Sequence, residues 1–105
     1  MVQDTISMPK ARQLLYLKDY LPGGLLREIR IYEVPVSRTY TEGIKYSCYL
    51  VDPENGAEII GYDIHPGKGH HRPIRGRETK YIFRGLKELL DDLVLDVQRV
   101  LGGNL

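Results

Sequence analysis

Between Tyr62 and Arg77 the chain reads Y-D-I-H-P-G-K-G-H-H-R-P-I-R-G-R, and all three of its histidines, His65, His70 and His71, fall inside that stretch. An unperturbed imidazole titrates near about 6.5, so His70 or His71 can exchange a proton with a hydroxyl or a leaving oxygen close to neutrality. Lys68 and Arg72 bring the charge that a phosphate needs, and the arginine fork matches two oxygens at once. Backbone amides at Gly67 and Gly69, free of Cβ crowding, can approach an anion closely. Asp63 either orients an imidazole or caps the segment through its own backbone. His65, Arg75 and Arg77 widen the basic surface, and Tyr62 and Tyr81 at the flanking strand ends can stack on bases. These residues suit proton transfer at a phosphoester.

Other chemistries fit less well. His65 with His70 or His71 lacks the Cys or regular His/carboxylate spacing of a closed metal site, so neither metal nor cofactor is expected. G-K-G is too short for a Walker loop, and no dinucleotide glycine pattern is present. Each residue also has a plainer role. Adjacent histidines in a Gly-rich loop can be a solvated turn, Arg75 and Arg77 are more often solvated than functional, and Tyr46 shares a face with Ile44 and Leu50, which reads as core.

Such groups need a frame. At 105 residues the chain is expected to form a single domain, 1–105, with one modest core. Fifteen basic and 14 acidic residues leave a formal charge of +1, so overall charge does not imply non-specific duplex binding. The charge is segregated: Lys68, Arg72, Arg75, Arg77, Lys80 and Arg84 face only Glu78, whereas Glu88, Asp91, Asp92 and Asp96 dominate the C-terminal stretch. The single cysteine, Cys48, excludes an internal disulfide and reads as a small buried hydrophobe. No apolar run reaches the ~18 residues of a membrane span and no signal-peptide layout is present, so a cytoplasmic location is expected.

Residues 1–10 are polar and unpatterned, with Pro9, and are expected to be flexible or lightly docked. Ala11–Tyr20 fits neither period cleanly, but Leu21-Pro22-Gly23-Gly24 is a turn signal and Leu25–Val34 alternates, so a first hairpin is the simplest account. Ile44–Val51 alternates with Ile44, Tyr46, Cys48 and Leu50 on one face. Asp52-Pro53-Glu54-Asn55-Gly56 then turns the chain into a returning strand, Ala57–Asp63. The basic segment is expected to be a displayed loop, with β character resuming at Thr79–Phe83. Leu86, Leu89, Leu90, Leu93, Val97, Val100 and Leu101 form a helical stripe closed by Gly102-Gly103. The fold class is therefore α+β: an antiparallel sheet of about five strands packed against one C-terminal helix.

From about Glu28 to Val97 the chain resembles the TumE family of toxins from toxin–antitoxin pairs. The resemblance rests on Lys45-Tyr46, Tyr62-Asp63, Gly67-Lys68-Gly69 with His71-Arg72, Glu78, Tyr81, Phe83, and the leucine-rich helix with Asp92 and Val97. Ile64 stands where the family commonly has Asn, and Pro73 where it commonly has a further His. The resemblance implies a toxin neutralised by a cognate antitoxin, often a helix-turn-helix protein; a homodimer is an open arrangement. Several small toxins act on RNA, which suits metal-independent cleavage: His71 as base toward a 2′-hydroxyl, His70 or His65 as acid, and Lys68 and Arg72 on the phosphate. The alternative is a binding module without catalysis, holding RNA or an acidic protein segment by stacking and charge.

Overall fold

The computed structural model describes residues 11–105. The N-terminal stretch 1–10 lies outside the described residues. Five strands follow one another in space as in sequence, all antiparallel: β1 (Arg12–Tyr20), β2 (Leu26–Glu33), β3 (Ile44–Asp52), β4 (Ala57–His65) and β5 (Gly69–His71). Among the described residues one helix, α1 (Leu86–Leu101), completes the α+β fold.

The turns form where the residues permit them. Gly24 N–H donates to the Leu21 carbonyl at 2.9 Å, and Gly23 and Gly24 have φ of 91° and 90°, which a Cβ would oppose. In the next hairpin the Asp52 carboxylate accepts from Glu54 N–H at 3.0 Å, and the Asn55 side-chain oxygen accepts from Ala57 N–H at 2.8 Å. Both are turn-forming uses of short polar side chains.

Strand alternation then sorts the sheet into two faces. On one, Ile29, Ile31, Tyr46, Cys48, Leu50, Ile60, Tyr62 and Ile64 meet Leu89, Leu93 and Val97 of α1. Burying such a side chain is worth about 1.5–3 kcal/mol, so this stripe supplies most of the cohesion between helix and sheet. Cys48 is fully buried, and burial pushes its thiol up to about 12, which removes the thiolate at neutral pH. Val100 is partly buried, whereas Leu101 is exposed and drops out of the expected stripe.

The basic segment departs from the expected loop. The segment makes two tight turns: Pro66–Lys68, closed by Lys68 N–H to the His65 carbonyl at 3.0 Å and followed at once by β5, and Arg75–Gly76, between the mutually bonded Ile74 and Arg77. The sheet continues past β5: Gly61 N–H donates to the Pro73 carbonyl, Arg75 N–H to Ile59 and Arg72 N–H to Thr79. Thr79–Phe83, expected as the fifth strand, contributes only a bridge between Lys80 and His71. Gly and Pro content suggested a loop, but the glycines serve tight reversals, Gly67 and Gly69 at the first and Gly76 at the second. Gly67 and Gly69 have φ of 81° and 83°, the left-handed conformation that a tight reversal demands.

Candidate functional site

Consecutive residues of an extended strand point to opposite sides, so β5 divides the histidine pair. His70 lies opposite Ile64, on the face that α1 packs against, and His71 lies opposite Asp63, on the other.

His70 is held at both ring nitrogens. Nδ1 is 2.8 Å from the Tyr46 hydroxyl, and Nε2 is 3.2 Å from each oxygen of Glu42. Its ring stacks on Phe83 with centroids 4.9 Å apart and planes 2° apart. Burial opposes ionisation of Glu42, but the bond to His70 prevails and holds the carboxyl below its ordinary value. Burial pushes the Tyr46 phenol far up, so it stays protonated. With Tyr46 only 2% exposed, this relay ties β3, β5 and the β2–β3 connection together.

Arg72 shares that face. Its guanidinium grips Asp96 of α1 with two bonds, Nε to Oδ2 at 2.8 Å and Nη2 to Oδ1 at 2.5 Å, and Nε also donates to the Tyr62 hydroxyl at 2.8 Å. Tyr62 donates in turn to Asp96. The bonds to Asp96 raise the Arg72 guanidinium against the opposing effect of burial. Burial, reinforced by the neighbouring carboxylate, pushes the Tyr62 phenol well up. Tyr62 is 1% exposed and offers no face to a base; its expected stacking role gives way to a core role. Tyr81 is half-buried, edge-on to Tyr62 at 4.9 Å, and donates to Asp92 at 2.5 Å. Asp96 escaped the sequence reading because an aspartate is ordinarily assigned to the solvent side. Its position three residues after Leu93 and seven after Leu89 was the available signal.

The face away from α1 carries the other group. His71 Nδ1 sits 2.9 Å from a Glu78 carboxylate oxygen, and the side chain is 10% exposed. The His65 ring is 5.8 Å away between centroids, tilted by 48°. No side-chain hydrogen bond among the described residues engages His71 Nε2. Asp63 lies opposite His71 in the ladder, but its carboxylate accepts from the Tyr49 hydroxyl at 2.9 Å rather than from an imidazole. Burial and that bond push Tyr49 up to about 12. Burial and the charge of Asp63 also raise the Glu58 carboxyl. Lys68 is exposed at the tip of the β4–β5 turn.

The remaining basic residues lie apart from this group. Arg75 donates to the Leu105 carbonyl at 2.8 Å and adopts a φ of 48°, while Arg77 is exposed. The structure thus brings His65, His71, Glu78 and Asp63 to one face, and His70, Arg72, Tyr62 and Tyr81 to the other. Among the described residues no three His, Cys, Asp or Glu side chains gather as a metal site. Among the described residues no helix is long and apolar enough to cross a membrane.

Fold and site together define a small α+β domain whose sheet has one face backed by the helix and an opposite face carrying His65 and His71. The chain belongs to the TumE family, described as Toxin TumE, which matches residues 2–101. Toxins of this family typically pair with a cognate antitoxin. No curated protein and no solved structure matches the chain.

Proposed function

We propose that this chain is the toxin of a toxin–antitoxin pair and a metal-independent endoribonuclease acting through His71 and His65. The observation that carries the reading is the pair of imidazoles 5.8 Å apart on one sheet face, with His71 Nδ1 against Glu78 and its Nε2 left available. Of the two candidate acids, His65 shares the face of His71, whereas His70 is turned away and occupied at both nitrogens. His71 Nε2 takes the proton of a 2′-hydroxyl, whose oxygen attacks the adjacent phosphorus. The bond from phosphorus to the 5′-oxygen breaks, and His65 delivers a proton to that oxygen. The products are a 2′,3′-cyclic phosphate and a 5′-hydroxyl. Lys68, at the turn between β4 and β5, offsets the charge gathering on the phosphate. Arg72, bound to Asp96, serves the framework.

Purified protein incubated with end-labelled single-stranded RNA and a chelator tests the reading. Cleavage leaving cyclic-phosphate ends, lost in His71→Ala and in His65→Ala, is the expected result. RNA left intact by the unaltered protein, with and without ribosomes, removes the enzyme.

The 10% exposure of the His71 side chain favours a second reading, a non-catalytic module for RNA or for an acidic segment of its antitoxin. That reading expects binding that weakens steeply with salt and no consumed substrate.

A further inference from the structure

The register places one unbroken row across all five strands on the face away from α1: Tyr16 opposite Arg30, Arg30 opposite Ser47, Ser47 opposite Asp63, and Asp63 opposite His71. Tyr32 and Lys45 form the adjoining pair on the same face. Where this face meets the β2–β3 connection it deepens into a cavity of about 670 Å³. Arg30, Tyr32, Val34, Tyr40, Lys45 and Ser47 are among its walls. That volume lies within the roughly 300–1,000 Å³ usual for small-molecule sites.

The wall chemistry is that of a nucleotide site. Tyr32, Tyr40 and Val34 give flat and apolar surface for a base, and Ser47 gives a hydroxyl for its edge. Lys45, with Arg30 in the same wall, supplies positive charge for a phosphate. Arg30 lies over the Tyr16 ring at 5.5 Å and pairs with Glu28 at 3.0 Å, which fixes its position in the wall and offsets part of its charge. Lys45 is exposed and makes no ion pair among the described residues. The second cavity, about 330 Å³ between Tyr62, Lys80 and α1, is a poorer candidate. There Arg72 is committed to Asp96, and Arg99 lies 3.6 Å from the same carboxylate.

Position links the larger cavity to the histidines. Ser47, in its wall, is two strands from His71 along the row, about 10 Å at a strand spacing of ~4.8 Å. A base seated there would leave its chain running over Asp63 toward His71. We infer that the cavity is a base-binding subsite for single-stranded RNA, seating an unpaired base one or two nucleotides from the phosphate that His71 and His65 address. This rests on the ribonuclease reading. A duplex is excluded because its bases are stacked and paired, and an open sheet face can grip bases only once they splay out.

Binding is measured by fluorescence anisotropy of labelled single-stranded RNA in the His71→Ala background, where nothing is cut. Tyr32→Leu and Lys45→Gln should each weaken affinity roughly tenfold, and Lys45→Gln should lower the slope of log affinity against log salt by about one. A duplex of the same sequence should bind at least about tenfold more weakly. Lys87→Gln, on α1, should change nothing, and unaltered melting curves show that the variants fold. Wild-type affinity in both cavity variants, or equal binding of duplex and single strand, overturns the inference. So does RNA that fails to bind while a polyglutamate peptide binds in a Lys45-dependent way, which would assign the cavity to an acidic protein segment. Loss of affinity in the variants without any cleavage by the unaltered protein would leave the subsite standing and remove the catalysis. His71-dependent cleavage with unchanged affinity would do the reverse.

Discussion

The two faces of the sheet use the same kinds of side chain to opposite ends. Behind β5, His70 is engaged at both ring nitrogens and Arg72 at two of its three guanidinium nitrogens, by Glu42, Tyr46, Tyr62 and Asp96. In front, His71 has one nitrogen against Glu78 and the other available, and His65 lies beside it. Three adjacent residues of one basic motif thus separate into framework, candidate site and framework because a strand alternates. An imidazole held at both nitrogens stabilises the fold; one with a nitrogen left free can do chemistry.

The sharpest way to break this comparison is to remove each histidine in turn. His71→Ala should cut RNA cleavage by about 10²–10⁴-fold, the usual contribution of a general acid or base, and leave the urea midpoint near that of the parent. A His71→Ala protein that still cleaves would end the division between faces.

Next in size is the ion pair behind the sheet. Asp96→Ala leaves the Arg72 charge and the Tyr62 hydroxyl without their partner in a site where Asp96 itself is 1% exposed. The expected loss is about 3–5 kcal/mol in chemical denaturation, because removing one partner strands the other. Replacing both, Arg72→Met with Asp96→Leu, should recover most of it, since a packed apolar pair is often no worse than a buried ionic one. If the double variant is no better than the single, the network contributes something beyond mutual satisfaction of its charges.

His70→Ala should fall below that, at about 1–3 kcal/mol, from the loss of two hydrogen bonds and leaving the Tyr46 hydroxyl unpaired. Cleavage per folded molecule should stay near the parental value, measured at a temperature where both proteins are fully folded.

Most of this frame was legible beforehand. The 3.6-residue stripe located α1, Gly102-Gly103 its end, and period-two alternation the core side of β2 and β3. The basic segment was not, for two physical reasons. Gly67 and Gly69 read the same way in sequence whether they free amides for a phosphate or allow a tight turn, and here they do the second. Whether His70 or His71 faces the helix depends on the β4–β5 register, which three residues of β5 set through contacts invisible in the local pattern. Asp96 went unassigned because its partner Arg72 is distant in sequence. The expected convergence of His70, His71 and Arg72 on one pocket therefore becomes a split between two faces, while His65, the alternative acid, is the one that shares the face of His71.

The smallest effect concerns Asp92, and its sign can be worked out. Burial works against its ionisation, but hydrogen bonds from Tyr81 at 2.5 Å and Arg84 at 2.6 Å outweigh it and hold the carboxyl below its ordinary value. A carboxylate that is more acidic folded than unfolded stabilises the fold fully above the unfolded value, near about 4, and loses that contribution as pH falls through the lower, folded one. Asp92→Asn keeps an oxygen for Tyr81 and gives up the charge facing Arg84, which is half-exposed and screened. At pH 7 it should therefore be less stable than the parent by about 1 kcal/mol or less. Urea unfolding repeated at pH 7 and near pH 3 should show the gap closing on the acid side. A gap that persists or widens there would mean that shape, rather than charge, makes Asp92 useful, and that the helix-backed face relies on its carboxylates less than its bonding pattern implies.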